Sequence, residues 1–251
     1  MDRKPFIAGN WKMNTTLAEA VRLAGGVAEA VKDLDRVDVA VFPPFTALHA
    51  VAERLRGTAV AVGAQDLFWE KEGAYTGEIS AIQIRDAGAS HALIGHSERR
   101  HVIGETDDLV RRKLVAALKG GLLPVVCVGE RLEEREAGRT FEVVGSQIEA
   151  ALRGLDDSES GLVTVAYEPV WAIGTGKNAT PEQAEEVHRF IRTRLKDLFG
   201  AEEGAIRILY GGSAKPANAA ELLSQPHVDG LLVGGASLDA KGFGAIARSV
   251  R

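Results

Sequence analysis

The sequence predicts an α/β chain folded as a single (β/α)8 barrel over residues 1–251, eight parallel strands ringed by helices. Three observations carry that expectation. Short apolar runs recur along a chain of 251 residues, about the length such a barrel needs. The runs lack apolar/polar alternation, as befits strands buried on both faces of a parallel sheet. Between them lie amphipathic stretches with helix-start signals, and no Pro/Ser-rich linker or low-complexity tract interrupts the series. A doubly wound open sheet shares the βαβ repeat. No G-x-G-x-x-G follows the first run, which weakens the dinucleotide-binding version of that alternative.

The first run, Phe6–Ala8, is followed by Thr16-Leu17-Ala18-Glu19, in which Thr and Glu have the spacing of a capping box. The second, Val37–Phe42, leads to Leu48, Val51, Ala52 and Leu55 at helical spacing, with Gly57 placed to stop the helix. The third, Val60–Val62, precedes a long connection from Gln65 to Ile79 and a second start signal, Ser80-Ala81-Ile82-Gln83. His91–Ile94 and Leu122–Val128 are the fourth and fifth runs. The sixth, Val163–Tyr167, is followed by Thr180-Pro181-Glu182-Gln183, a capping box with Pro at the first helical position. That helix carries a stripe of Ala184, Val187, Ile191, Leu195 and Leu198 and is expected to end at Gly200. Ile206–Tyr210 and Gly230–Val233 complete the eight.

Charge and composition narrow the partners. The net charge is −5 with both signs interspersed, and no basic stripe invites nucleic acid as a main partner. A bound phosphate would therefore be held by a local site and not by the overall field. No apolar run is long enough to span a bilayer, so no membrane partner is expected. Cys127 is the only cysteine and forms no internal disulfide. The chain enters its first strand at Phe6 without a hydrophobic signal core. The expected location is the cytoplasm.

Reactive residues of a βα barrel come from the C-terminal ends of its strands. The first run ends in Asn10-Trp11-Lys12, the fourth in Gly95-His96-Ser97-Glu98-Arg99-Arg100 and the sixth in Glu168-Pro169. The seventh and eighth end in Gly211-Gly212-Ser213 and Gly234-Gly235. Singly, each has a bland reading: a solvated lysine, a structural histidine, a helix N-terminal carboxylate, glycine turns. Jointly they bring a cation, an imidazole, a carboxylate and two glycine turns to one mouth. The glycine turns offer N–H groups to a phosphate, Ser213 adds its own N–H and hydroxyl, and Lys12 supplies positive charge. Glu168 is expected as a base and His96 as a donor to a carbonyl, the equipment for proton abstraction at the neighbouring carbon. No His/Cys/Asp cluster has metal spacing, and neither metal nor organic cofactor is expected.

Six segments carry a resemblance. AGNWKMN from Ala8, GHSERR from Gly95, CVGE from Cys127, YEPVWAIGTGK from Tyr167, YGGS from Tyr210 and VGGASL from Val233 resemble the triosephosphate isomerase family, in its order and from first strand to last. The resemblance implies a TIM barrel that interconverts dihydroxyacetone phosphate and glyceraldehyde 3-phosphate in glycolysis and gluconeogenesis. It implies Glu168 as the catalytic base, neutral His96 as electrophile, and Lys12 with Asn10 beside it in catalysis and substrate binding. Glu98 matches a supporting acid. Gly174, Gly212, Ser213, Gly234 and Gly235 match the phosphate site. Pro169, Val170, Trp171, Ala172, Ile173, Gly174, Thr175, Gly176 and Lys177 match a closing lid. The Gln65–Ile79 connection, with Phe68, Trp69, Tyr75 and Thr76, matches a loop that inserts into a second subunit, so a homodimer is expected. Ala214 and Asp66 stand where the family usually has valine and asparagine; neither lies in the Lys12, His96 and Glu168 set. Two rivals fit less well. A Schiff-base aldolase needs a lysine within a middle strand, and strands five to seven hold none. A non-catalytic barrel is expected to have lost one of Lys12, His96 or Glu168.

Overall fold

The computed structural model describes residues 3–173 and 179–250. Eight parallel strands close into a barrel in sequence order: β1 Phe6–Asn10, β2 Asp38–Phe42, β3 Val60–Ala64, β4 His91–Ile94, β5 Leu123–Val128, β6 Thr164–Tyr167, β7 Arg207–Tyr210 and β8 Gly230–Val233. β8 returns to pair with β1, Phe6 opposite Gly230. Each expected run is a strand; His91–Ile94 and Gly230–Val233 keep their bounds, and the others move at one end by one or two residues. β1 extends to Asn10 because the backbone pairing with Phe42 continues there, and β3 extends to Ala64 because Gly63 and Ala64 pair with His91 and Ala92.

The main helices are α1 Leu17–Val31, α2 Leu48–Leu55, α3 Ala81–Asp86, α4 Asp107–Lys119, α5 Leu132–Glu136 and α6 Thr140–Leu152. They continue with α7 Asp157–Ser160, α8 Pro181–Phe199, α9 Ala219–Leu223 and α10 Ala240–Ala247. The start signals act as read. Thr16 N–H donates to Glu19 Oε2 at 2.8 Å, and Ser80 N–H to Gln83 Oε1 at 2.9 Å. At α8 the exchange is reciprocal, Thr180 N–H to Gln183 Oε1 at 3.0 Å and Gln183 N–H to Thr180 Oγ1 at 3.2 Å. Each satisfies backbone donors that a helix start leaves without partners. Gly200 ends α8 at φ 58°.

The strands are buried on both faces, which explains why they read as unbroken apolar runs. Phe6, Ala8, Phe42, Leu93, Val125, Cys127 and Leu209 belong to a cluster inside the barrel. A larger cluster, including Ile7, Val41, Val165 and Ile208 from the strands and Val27, Leu114, Ile148 and Ile191 from the helices, fills the space outside it. Each fully buried aliphatic side chain contributes about 1.5–3 kcal/mol, so the frame that carries the strand ends is rigid. At the foot of the barrel, burial and then the Arg207 charge push His91 down to about 4; this imidazole is neutral. No helix among the described residues is long and apolar enough to cross a membrane.

Candidate active site

Lys12 leaves β1 with φ 52°, a left-handed conformation uncommon for a side-chain-bearing residue. Asn10 supports it, because its Oδ1 accepts the Lys12 N–H at 2.9 Å. Gln65 secures the next link by donating Nε2–H to the Lys12 carbonyl and to the Phe42 carbonyl, both at 2.8 Å. The ammonium group donates to Glu98 Oε1 at 2.6 Å. The lysine stem lies over the eighth-strand turn: a Cβ at Gly234 would stand 3.4 Å from Lys12 Cε.

After β4 the chain turns at Gly95 and enters a helical turn at Ser97, continuing as a π-turn over Arg99–Ile103. The Glu98 N–H approaches His96 Nδ1 at 3.2 Å, so in the neutral ring Nδ1 is the acceptor and the proton sits on Nε2. Nε2 faces Glu168 Oε1 at 3.0 Å. The tautomer follows from a backbone contact two residues away.

Glu168 follows β6 and is buried. Its Oε2 accepts the Ser97 N–H at 2.8 Å and its Oε1 accepts the Ser97 hydroxyl at 3.1 Å. Burial pushes this carboxyl up, but His96 and both Ser97 donors outweigh it and hold Glu168 below the usual carboxylate range. The same pair acts on His96 in reverse: burial pulls it down, and the Glu168 charge lifts it above its ordinary value. The glycine of the seventh-strand turn makes room for this carboxylate, since a Cβ at Gly211 would come within 2.9 Å of Glu168 Cγ.

Asn10, Lys12, His96, Glu168, Ser213, Gly234 and Gly235 border one cavity of about 400 Å³, together with Ile173 and Ala214. The Ser213 hydroxyl donates to the Ala172 carbonyl at 2.7 Å and so joins the seventh-strand turn to the sixth-strand connection. Of the lid segment, Gly174, Thr175, Gly176 and Lys177 lie outside the described residues. The part before them is anchored: Val170–Ala172 forms a 3-10 turn, and Trp171 Nε1–H donates to buried Glu130 Oε1 at 2.9 Å. The same oxygen accepts from Tyr167 Oη at 3.1 Å and from Arg135 Nη1 at 3.1 Å.

Sequence reasoning did not give Ser97, Gln65, Gly211 or Glu130 these duties. Ser97 and Glu130 lie within the quoted motifs, yet what they touch comes from distant strands.

The Gln65–Ile79 connection packs partly on itself. Phe68 stacks with Trp69 at 3.9 Å and with Tyr75 at 4.6 Å between ring centroids, and Arg112 lies over Trp69 at 4.1 Å. Its tip, residues 71–78, is exposed throughout and carries Tyr75 and Thr76. Asp66 at its root sits in a buried ion cluster. Lys113 Nζ contacts Asp66 Oδ1 at 2.7 Å and Glu105 Oε1 at 2.5 Å, and Arg99 contacts Asp66 Oδ2 at 2.9 Å. Burial pushes the Asp66 carboxyl up, with Lys113 opposing. Beside the active-site cavity lies a second of about 560 Å³, sharing Asn10, Lys12 and His96 and edged by Met13, Val102 and Ile103. These three apolar residues are 96%, 77% and 63% exposed.

An eight-stranded closed barrel whose strand ends bring a lysine, an imidazole and a carboxylate to one glycine-lined cavity is the architecture of a (β/α)8-barrel enzyme. The comparisons with known proteins narrow that class. The family model described as triosephosphate isomerase matches residues 5–250. The triosephosphate isomerase of Moorella thermoacetica is 55% identical over 244 residues, covering 97% of this chain and 98% of the relative. That of Citrifermentans bemidjiense is 53% identical, covering 98% of each. The crystal structure of triosephosphate isomerase from Bartonella henselae superposes with a TM-score of 0.90 at 42% identity, covering 98% of each chain. The chain belongs to the triosephosphate isomerase family and is an isomerase.

Proposed function

We propose that this chain interconverts dihydroxyacetone phosphate and D-glyceraldehyde 3-phosphate through an enediolate, as one catalytic domain over residues 1–251. In this reading Glu168 is the base, His96 the electrophile, and Lys12 with Asn10 the binding and charge-balancing pair. The observation that carries it is the meeting of Glu168 and His96 at 3.0 Å on the wall of a cavity that Lys12 and Gly234 also line.

The chemistry follows from these contacts. Glu168 as seen is stabilised by Ser97 and His96, so it becomes a stronger base when it exchanges those donors for the carbon-bound proton of a substrate. Its departure also removes the charge that lifts His96. Burial and the Glu98 N–H on Nδ1 then favour a neutral ring with Nε2–H aimed into the cavity, fit to polarise a carbonyl and stabilise the developing oxyanion. Lys12, which shares the Glu98 carboxylate with His96, balances the negative charge of enediolate and phosphate. The phosphate seat is Gly234, Gly235, the Ser213 N–H and, from its sequence, Gly174.

The lid reading for Pro169–Lys177 rests on the sequence after the base and on the Ile173 side of the cavity. An enediolate with phosphate on the adjacent carbon expels that phosphate if the group is free to align with the π system. Deletion of residues 173–176 is therefore expected to slow isomerisation and divert flux to methylglyoxal and inorganic phosphate. The product ratio at matched substrate consumption measures this, and unchanged partitioning would refute the lid.

We also propose a homodimer in which the 71–78 tip of one protomer, with Tyr75 and Thr76, enters its partner's second cavity. Its exposed apolar rim of Met13, Val102 and Ile103 supports this reading. Replacing Phe68 and Trp69 with charged residues is expected to give monomers of poor activity in sedimentation, since the partner loop would brace Lys12. A fully active monomer contradicts the proposal.

A further inference from the structure

Strand β5 outruns its neighbour. Its pairing with β4 ends at Ile94 opposite Val126, where β4 leaves to form the His96 turn. On the other edge the ladder continues past both strand ends. Glu168 N–H donates to the Val128 carbonyl at 2.8 Å, and Val170 N–H to the Glu130 carbonyl at 3.1 Å. Backbone groups of successive strand residues point to opposite edges, so with Val128 facing β6, Cys127 and Gly129 face the edge that β4 has vacated. Buried backbone groups need partners, and here two side chains supply them.

The Cys127 carbonyl accepts from Arg100 Nε at 3.4 Å and Nη2 at 3.3 Å. Gly129 makes a reciprocal pair with Gln147: its N–H donates to Oε1 at 2.7 Å, and its carbonyl accepts from Nε2 at 3.3 Å. Gln147 comes from α6 and is buried. Arg100 is held by Asp107 Oδ1 at 2.6 Å and by its own N–H on the His96 carbonyl at 2.6 Å. This strip of backbone is the seat of Glu168. A Cβ at Gly129 would stand 1.7 Å from the Glu168 carbonyl oxygen, so a shift of Gly129 displaces the peptide that carries the base.

We propose that Gln147 and Arg100 are positioning residues for Glu168: they replace the missing β4 edge with side-chain hydrogen bonds and keep the end of β5 in register with the base. Neither touches the reacting atoms. The inference rests on Glu168 being the base, whose displacement by about 1 Å can cost ~10²-fold in rate.

The test uses the full-length protein with Gln147→Leu, which removes both bonds to Gly129, and Gln147→Asn, which keeps the amide one methylene short. Arg100→Lys keeps the cation beside Asp107 but loses the forked donor. The readouts are kcat, KM and inhibition by two probes: inorganic phosphate, and 2-phosphoglycolate, whose carboxylate mimics the enediolate. Gln147→Leu is expected to lower kcat about 10-fold with KM within about 2-fold. Phosphate inhibition should be unchanged, 2-phosphoglycolate should weaken in step with kcat, and Gln147→Asn should recover part of the loss. Arg100→Lys is expected to show the same pattern and carries the test if Gln147→Leu does not fold. Undiminished kcat in the folded variants, or equal weakening of both probes, overturns the proposal. Failure of the base assignment is separate: it would show as normal turnover in Glu168→Asp, whatever Gln147 does.

Discussion

Glu168→Asp is expected to lower kcat by at least about 10²-fold, near 2.7 kcal/mol of barrier, while KM changes far less. The carboxylate remains but withdraws by one methylene, and the carbon it must reach does not move with it. The frame around it stays, because the backbone of Glu168 is registered on β5 through Val128 and the side chain only shortens. Glu168→Gln keeps the length and removes the base, and should lose about 10²–10⁴-fold. Steady-state kinetics on both variants decide the matter, and near-normal turnover in the aspartate variant would end the assignment.

The second large effect is expected at Lys12. A cation about 4 Å from a phosphate charge is worth about 4 kcal/mol at the effective dielectric of a protein surface, or roughly a thousandfold in affinity. Lys12→Met should therefore lose binding of phosphorylated ligands by ~10²–10³-fold, with turnover falling alongside. The fold should hold. Methionine meets the same φ of 52° as lysine, and the abandoned partner Glu98 is half exposed, so the lost ion pair contributes little stability. Calorimetry with 2-phosphoglycolate measures the loss directly. Wild-type affinity in the variant would place Lys12 outside the binding site.

The barrel was legible because each strand is buried on both faces and so announces itself as an apolar run. Strand ends were less so. Asn10 and Gly63 continue the ladder through backbone pairing alone, which side-chain polarity does not report. At the site, Lys12, His96 and Glu168 could be named because barrel topology sends strand ends to one mouth. What holds them could not. Ser97 meets Glu168 across 71 residues of sequence and Gln65 meets Lys12 across 53, and no local pattern encodes either meeting. Ser213 was recognisable as a turn residue, but the direction of its hydroxyl depends on the Ala172 carbonyl of another connection. Asp66 stood out as a departure from the family, yet its setting between Lys113 and Arg99 required the packing of α4 and the π-turn.

The central claim is that a proton leaves carbon for a carboxylate and returns to the adjacent carbon. Dihydroxyacetone phosphate incubated with the protein in heavy water and followed by NMR tests it most directly. The expected result is glyceraldehyde 3-phosphate carrying solvent deuterium at the carbon beside the carbonyl, with deuterium also entering the remaining substrate, and both signals lost in Glu168→Gln. Isomerised product and recovered substrate both free of solvent deuterium even after many turnovers at equilibrium, when a carboxylate-bound proton has had repeated chances to exchange, would contradict a carboxylate base.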